Sequence, residues 1–193
     1  MDQFNIYMIG VGGQGIGLLS EILIRAADHA GHRVKGVDTH GLAQRGGTVV
    51  SHLRMGSSVY SPIIPSGQAD LVVALERNEA FRGVKRAAKK GGVLVYYDTV
   101  WQPLDVRLGE VEPLEKDGIR DLCEGKNLKL YRVYDPDLPE PAMQNMAVIS
   151  LISKINLIPG ILDKHYRLAM EDLLKGEMLV KNMELFDLKT GGV

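Results

Sequence analysis

A glycine-rich segment near the amino end is the stretch of this chain most suggestive of chemistry. It follows a short apolar run at positions 4–9, and apolar residues at helical spacing follow it. In the order strand, turn and helix, a G-x-G-x-x-G pattern can hold an anion, because glycines let the backbone approach closely and a helix start has free N–H groups. A tight turn that only glycine permits explains the pattern equally well. The candidate residues are Gly10, Gly12, Gly13, Gln14, Gly15 and Gly17.

A second candidate is the loop at positions 40–47, which surrounds a single cation, Arg45, with glycines. Loops that follow the carboxyl ends of parallel strands converge on one crevice, so this loop, the glycine turn and Glu76 are expected together there. An arginine at such a crevice suits a phosphate, a carboxylate or an acidic partner surface; the alternative is a surface arginine with no role. The candidate residues are His40, Gly41, Gln44, Arg45, Gly46 and Gly47.

Asp38 raises a third interpretation, because it lies 23 residues after Gly15. Dinucleotide-binding folds often place an acid about 20 residues beyond the glycines to bind a ribose. A free-standing protein that binds NAD or a flavin is therefore the alternative function. Against it, 193 residues leave no separate substrate domain, and no set of residues for hydride transfer follows.

Other chemistry-bearing residues are too few or too scattered to form a site. His40 and His52 have no further metal ligands at close spacing, so no metal site is expected. Ser51 and His52 are adjacent in a strand pattern and should point to opposite faces. Cys123 is the only cysteine, which excludes an intrachain disulfide and an iron–sulfur cluster held by four local thiolates, and is typical of a cytoplasmic protein.

The elements that must position these residues alternate between strand and helix. This order predicts a single domain over residues 1–193, folded as a three-layer α/β/α sandwich around a mostly parallel, Rossmann-like sheet. Residues 48–61 should add an antiparallel element. The net charge of −1 argues against nucleic acid as a partner, and no apolar run approaches a membrane span. Predicted strands cover 34–38, 48–54, 69–75, 93–97 and 128–133, and predicted helices follow the glycines and cover 76–90, 119–123, 143–158, 164–175 and 179–188.

Several ordered motifs resemble one family, the gamma-type modules of 2-oxoacid:ferredoxin oxidoreductases. Within that family the chain is most similar to the small (beta) subunit of the indolepyruvate-type enzymes, on the strength of the segment 43–47 and the pair Ser51–His52. The residue that opens the late helix, Asn145, also matches. The motifs are IGVGGQGIGLLSEIL, HGLAQRGGTVVSHLRMG, YSPIIPSGQADLVVALE and LVKNMELFDLKTG.

The resemblance implies a division of labour between two chains. A large (alpha) partner subunit would carry thiamine diphosphate, Mg and 4Fe-4S clusters, decarboxylate the 2-oxoacid, pass electrons to ferredoxin and transfer the acyl group to coenzyme A. The small subunit would bind no cofactor and contain no catalytic residue. The two glycine-rich segments and Asn145 would then form a surface toward the partner or toward coenzyme A. A third reading is a structural module with no ligand at all.

Overall fold

The computed structural model describes residues 2–40, 47–101 and 116–191. A six-stranded sheet lies at its centre, with strand order β2-β3-β1-β4-β5-β6. The strands are β1 (Phe4–Val11), β2 (Val34–His40), β3 (Thr48–Met55), β4 (Ala69–Ala74), β5 (Ala88–Tyr97) and β6 (Lys129–Val133). The helices are α1 (Ile16–His29), α2 (Arg77–Ala87), α3 (Lys116–Gly125), α4 (Gln144–Lys154), α5 (Asp163–Leu173) and α6 (Gly176–Gly191), with a short 3-10 turn at Pro141–Met143.

Helices cover both faces of the sheet, so the expected three-layer α/β/α arrangement is confirmed. Helices α1, α4, α5 and α6 pack on one face, where Leu19, Met146 and Phe186 are fully buried. Helices α2 and α3 pack on the other face around Val72 and Val84. Strands β1, β4, β5 and β6 are parallel. Strands β1 and β4 and the second half of β5 are mostly apolar and buried, as expected for strands covered on both sides, whereas the edge strand β6 is partly exposed.

The antiparallel strand lies inside the sheet and not at its edge. Strand β3 pairs antiparallel with β1 on one side and with β2 on the other. The antiparallel element predicted within 48–61 is therefore confirmed, but it ends at Met55: Val59 and Tyr60 have no strand structure, and the expectation that they pair back as a short antiparallel strand is wrong. The reason is that β3 satisfies both of its edges with β1 and β2, which leaves it no edge for a further strand.

Helix α2 ends three residues before the predicted boundary at Lys90. Its last carbonyl groups are satisfied by Lys126, whose Nζ donates to the carbonyl oxygens of Val84 (2.9 Å) and Ala88 (3.4 Å). Ala88 already pairs with β4, and Lys89 forms an ion pair with Asp70 at 3.0 Å. These tertiary partners draw the segment into β5, which a sequence pattern of alanines and lysines does not reveal.

No helix in the described part of the chain is both long enough and apolar enough to cross a membrane.

Candidate functional site

The glycine turn joins β1 to α1 and is closed from within by Gln14. The backbone N–H of Val11 donates to Oε1 of Gln14 (2.8 Å), and the N–H of Gln14 donates to the carbonyl oxygen of Val11 (3.1 Å). Gln14 is 1% exposed. Its amide oxygen therefore fixes the turn from within.

Two of the glycines are required by close contacts and backbone geometry. Gly15 has φ +83, and a Cβ there would lie 2.5 Å from Nδ2 of Asn145. At Gly10, a Cβ would lie 2.8 Å from the side chain of Ile16, the first residue of α1. These glycines let α1 pack directly against β1 and α4, so the pattern has a structural explanation at both positions.

Asn145 connects α4 to the start of α1. Its Nδ2 donates to the carbonyl oxygen of Gly15 at 3.2 Å, and its Oδ1 accepts the N–H of Met146 at 2.7 Å. The side chain is almost fully buried and lies in the first turn of α4, which has no side-chain cap of its own. Asn145 therefore holds the glycine turn in place from the neighbouring helix.

The ends of the second candidate loop lie beside the glycine turn. His40 is the last residue of β2, and Gly47 accepts a hydrogen bond from the N–H of Gly12 at 2.8 Å. In the sheet, Val49 pairs with both His40 and Gly10. The tertiary structure thus brings the glycine turn and both ends of the second segment to one edge of the sheet. Gly41, Gln44, Arg45 and Gly46 lie outside the described residues.

A shallow cup of about 360 Å³ lies over the start of α1, lined by Gly12, Gly13, Gly15 and Gly17 among others. The N-cap of α1 is Gly15, which makes no side-chain cap, and no acid lies in the first turn. The first N–H groups of a helix have no partner within that helix. This is the geometry expected of an anion site, although the hydrogen bond from Gly12 to Gly47 removes one donor from the turn.

Asp38 lies away from the glycine turn because β3 intervenes. It pairs with Ser51 of β3, and Ser51 pairs with Met8 in the middle of β1. Two strand spacings of about 4.8 Å therefore separate Asp38 from β1. Asp38 accepts a hydrogen bond from Ser20 Oγ of α1 at 3.1 Å, which ties β2 to α1. The acid and the glycines are not arranged as in a dinucleotide site, where the first two strands are neighbours.

A larger cavity of about 610 Å³, which the sequence motifs do not predict, opens at the same edge of the sheet. We call it the aromatic cleft. It is bounded by the glycine turn, by the segments that follow β5 and β6, and by the start of α4. Its lining includes Gln14, Thr99, Trp101, Tyr134, Glu140 and Gln144. The signal available in the sequence was the chain's single tryptophan, placed four residues after the end of a buried strand.

Buried ion pairs hold the segment that carries Trp101. Glu76 caps α2 through the N–H of Glu79 (2.8 Å), and its other oxygen accepts the N–H of Trp101 (3.3 Å). Asp98 accepts from Arg77 at 2.6 Å and from Arg132 at 2.5 Å. Burial alone would raise the pKa of Asp98, but the two arginines outweigh it and the pKa is lowered.

The carboxylates at the start of α2 are shielded from water. Burial raises the pKa of Glu76 and of Glu79, although hydrogen bonds to each of them act in the opposite direction. Glu79 accepts from Thr48 Oγ1 at 3.2 Å and pairs with Arg82 at 2.6 Å. Glu76 lies at the crevice edge as predicted, where it positions the backbone of Trp101.

The remaining sequence candidates do not come together as a site in the described part of the chain. Ser51 is fully buried while His52 is half-buried on the opposite face, where its Nδ1 accepts the N–H of Ile64 at 3.2 Å. Cys123 is buried, and burial raises the pKa of its thiol to about 11, so it is not a thiolate at neutral pH. Among the described residues no group of three or more His, Cys, Asp or Glu side chains could hold a metal.

Comparisons with known proteins agree on one family. The model of the family pyruvate ferredoxin/flavodoxin oxidoreductase matches residues 5–189. A relative from Archaeoglobus fulgidus, named indolepyruvate oxidoreductase subunit IorB, is 33% identical over 94% of this chain and 91% of its own length.

Solved structures share the fold. The gamma subunit of a keto/oxoacid ferredoxin oxidoreductase from Geobacter sulfurreducens has a TM-score of 0.64 at 19% identity, over 97% of this chain and 96% of that one. A 2-oxoglutarate:ferredoxin oxidoreductase from Magnetococcus marinus, solved with 2-oxoglutarate, coenzyme A and succinyl-CoA bound, has a TM-score of 0.67 at 20% identity and covers 99% of this chain but 31% of that one. On the match of the family model and of the Archaeoglobus relative, this chain belongs to the pyruvate ferredoxin/flavodoxin oxidoreductase family.

Proposed function

We propose that this chain is the small subunit of a 2-oxoacid:ferredoxin oxidoreductase that acts on aryl pyruvates such as indolepyruvate. The observation that carries the proposal is the near full-length match to the Archaeoglobus subunit of that name. The substrate class is also supported by the segment 43–47 and the Ser51–His52 pair, on which the resemblance to indolepyruvate-type small subunits rests.

We further propose that the chemistry takes place in a large partner subunit. Thiamine diphosphate with Mg supplies decarboxylation there, 4Fe-4S clusters carry the electrons to ferredoxin, and coenzyme A accepts the acyl group. This chain's own donor set does not fit such a cluster, because its single cysteine is buried and protonated at neutral pH. A cytoplasmic location, where a lone thiol stays reduced, completes the proposal.

The two glycine-rich segments would then form part of the surface that assembles with the large subunit. The hydrogen bonds between Gly12 and Gly47 and between Asn145 and Gly15 support a rigid edge of this kind. The free N–H groups at the start of α1 would be available to an anion, for which the phosphates of coenzyme A are the natural candidate.

Co-expression with the large subunit tests this function. The isolated chain should show no turnover, and the purified complex should reduce ferredoxin in a reaction that needs both coenzyme A and a 2-oxoacid. Within a panel of pyruvate, 2-oxoglutarate and indolepyruvate, indolepyruvate should give the highest kcat/KM. Full activity from the small chain alone, or a complex that accepts only pyruvate, would contradict the proposal.

A further inference from the structure

The aromatic cleft exposes large aromatic side chains at its mouth. Trp101 is 49% exposed and Tyr134 is 58% exposed, and both line the cavity. The backbone N–H of Trp101 donates a hydrogen bond to Glu76, which holds the backbone at this position. The guanidinium of Arg132 lies over the ring of Tyr134 at 5.5 Å. Tryptophan and tyrosine on rigid backbone dominate the energetics of many protein interfaces.

Two buried amide side chains border the cleft, and one of them has an unused donor. Gln14 is 1% exposed, and its Nε2 has no hydrogen-bond partner in the described part of the chain. Gln144 is 4% exposed and lines the same cavity. A buried amide N–H without an acceptor is unfavourable, so an occupant that brings carbonyl oxygens would be stabilised here.

The charges of the lining select the occupant. Asp135 and Glu140 contribute carboxylates, and no lysine, arginine or histidine belongs to the lining that the structure describes. Glu140 has its ion pair with Lys181 outside the cavity wall, at 3.5 Å. An anionic ligand such as a diphosphate is therefore disfavoured in this cleft, whereas a cation beside an exposed indole ring is favoured by the ring's quadrupole.

We propose that the aromatic cleft receives a segment of the large partner subunit that inserts an arginine or lysine side chain against Trp101. A backbone carbonyl group of that segment accepts from Nε2 of Gln14. The carboxylates of Asp135 and Glu140 face the inserted cation. This inference rests on the proposed function and names the contact through which the two subunits recognise each other.

Two variants in the cleft and two matched control variants test the contact, each measured by its affinity for the large subunit. Trp101→Ala removes the ring, and Glu140→Lys reverses the charge. Each should weaken binding to the large subunit by about tenfold or more. The matched controls lie at the opposite edge of the sheet: Tyr60→Ala removes a residue that is 78% exposed, and Glu124→Lys reverses an exposed charge on α3. Both controls should leave the dissociation constant within about twofold.

The fluorescence of the residue at position 101 reports directly on whether the cleft is occupied. The chain has one tryptophan, so replacing it with 5-hydroxytryptophan gives a label that can be excited apart from the partner's tryptophans. Acrylamide should quench this label in the free chain and quench it several-fold less in the complex.

Each result has a distinct meaning. Protection of the label together with weaker binding by both cleft variants supports the inference. A complex of unchanged affinity in both variants, with the label still open to acrylamide, overturns the inference and leaves the proposed function intact. If the unmodified chain forms no complex with the large subunit, the inference and the proposed function are both overturned. If coenzyme A or indolepyruvate protects the label in the free chain and the partner does not, the cleft is a small-molecule site and the inference is overturned.

Discussion

At the scale of single residues, the glycine pattern is explained position by position by φ angles and by neighbouring atoms. Gly15 combines a left-handed backbone with the contact to Asn145, whereas Gly17 in the first turn of α1 has open space around the place of its Cβ. Identical residues two positions apart therefore have opposite tolerance to substitution. Composition alone does not distinguish them, because both belong to the same run of glycines at the junction of β1 and α1.

Gly15→Ala should destabilise the protein by roughly 1–3 kcal/mol, from left-handed backbone strain and the clash with Asn145. Gly17→Ala should be neutral or stabilising by up to about 1 kcal/mol, since alanine favours helix. Urea unfolding of both variants checks the pair. The double variant Gly15→Ala with Asn145→Ala should recover the part of the loss due to the clash. Equal effects at positions 15 and 17 would contradict the structure.

The free energy of unfolding should depend on pH through His52. Burial lowers its pKa below the ordinary value of 6.5, and the charge of Arg86 lowers it further. The native state therefore favours the neutral ring, whose Nδ1 accepts the N–H of Ile64. A group of this kind contributes stability that is present above pH 6.5 and is lost as the pH falls through the lowered pKa.

His52→Asn keeps a hydrogen-bond acceptor and removes the titration. The difference in free energy of unfolding between the wild type and this variant should shift in favour of the variant as the pH is lowered from 7 to about 5. Urea unfolding across that range measures the difference. A difference that does not change with pH would show that His52 does not titrate as the structure requires.

At the scale of elements, the position of β3 decides what the glycine turn can bind. The strand separates β2 from β1, so Asp38 pairs with α1 through Ser20 and lies far from the turn. The sequence contains the spacing of a dinucleotide site without its strand order. Spacing along the chain cannot reveal an inserted strand. Strand β3 comes after Asp38 in the sequence but lies between Asp38 and β1 in the sheet.

The isolated chain should therefore bind NAD, NADP and flavin no more tightly than a Kd of about 1 mM. Calorimetric titration with each of the three compounds measures this. Asp38→Asn should leave the titrations unchanged. Saturable binding that this substitution abolishes would restore the nicotinamide interpretation.

At the scale of the whole molecule, the carboxyl edge of the sheet carries the glycine turn, both ends of the second glycine-rich segment, the anion-type cup and the aromatic cleft. The buried carboxylates at this edge are held by ion pairs and caps, while aromatic side chains stay exposed at its surface. This arrangement is expected of a subunit that functions in contact with another chain.

Binding of the large subunit should stabilise this chain by mass action. At a free partner concentration of about 100 times Kd, the free energy of unfolding should rise by about 2.7 kcal/mol. Limited proteolysis of this chain with and without the partner measures the change. Trp101→Ala should reduce the protection, and Tyr60→Ala should retain it. Equal cleavage rates with and without the partner would contradict assembly.

The sequence by itself determined the class of fold, most strands and helices, and the family, because apolar periodicity and ordered motifs are local properties of the chain. Tertiary structure decided the rest. The internal place of β3, the end of α2 at Ala87 and the burial of Asn145 against Gly15 depend on contacts between residues far apart in the chain, such as that of Lys126 with the end of α2. The aromatic cleft is the clearest case, since Gln14, Trp101, Tyr134 and Gln144 come from four separate segments and meet only when the parallel strands align their carboxyl ends.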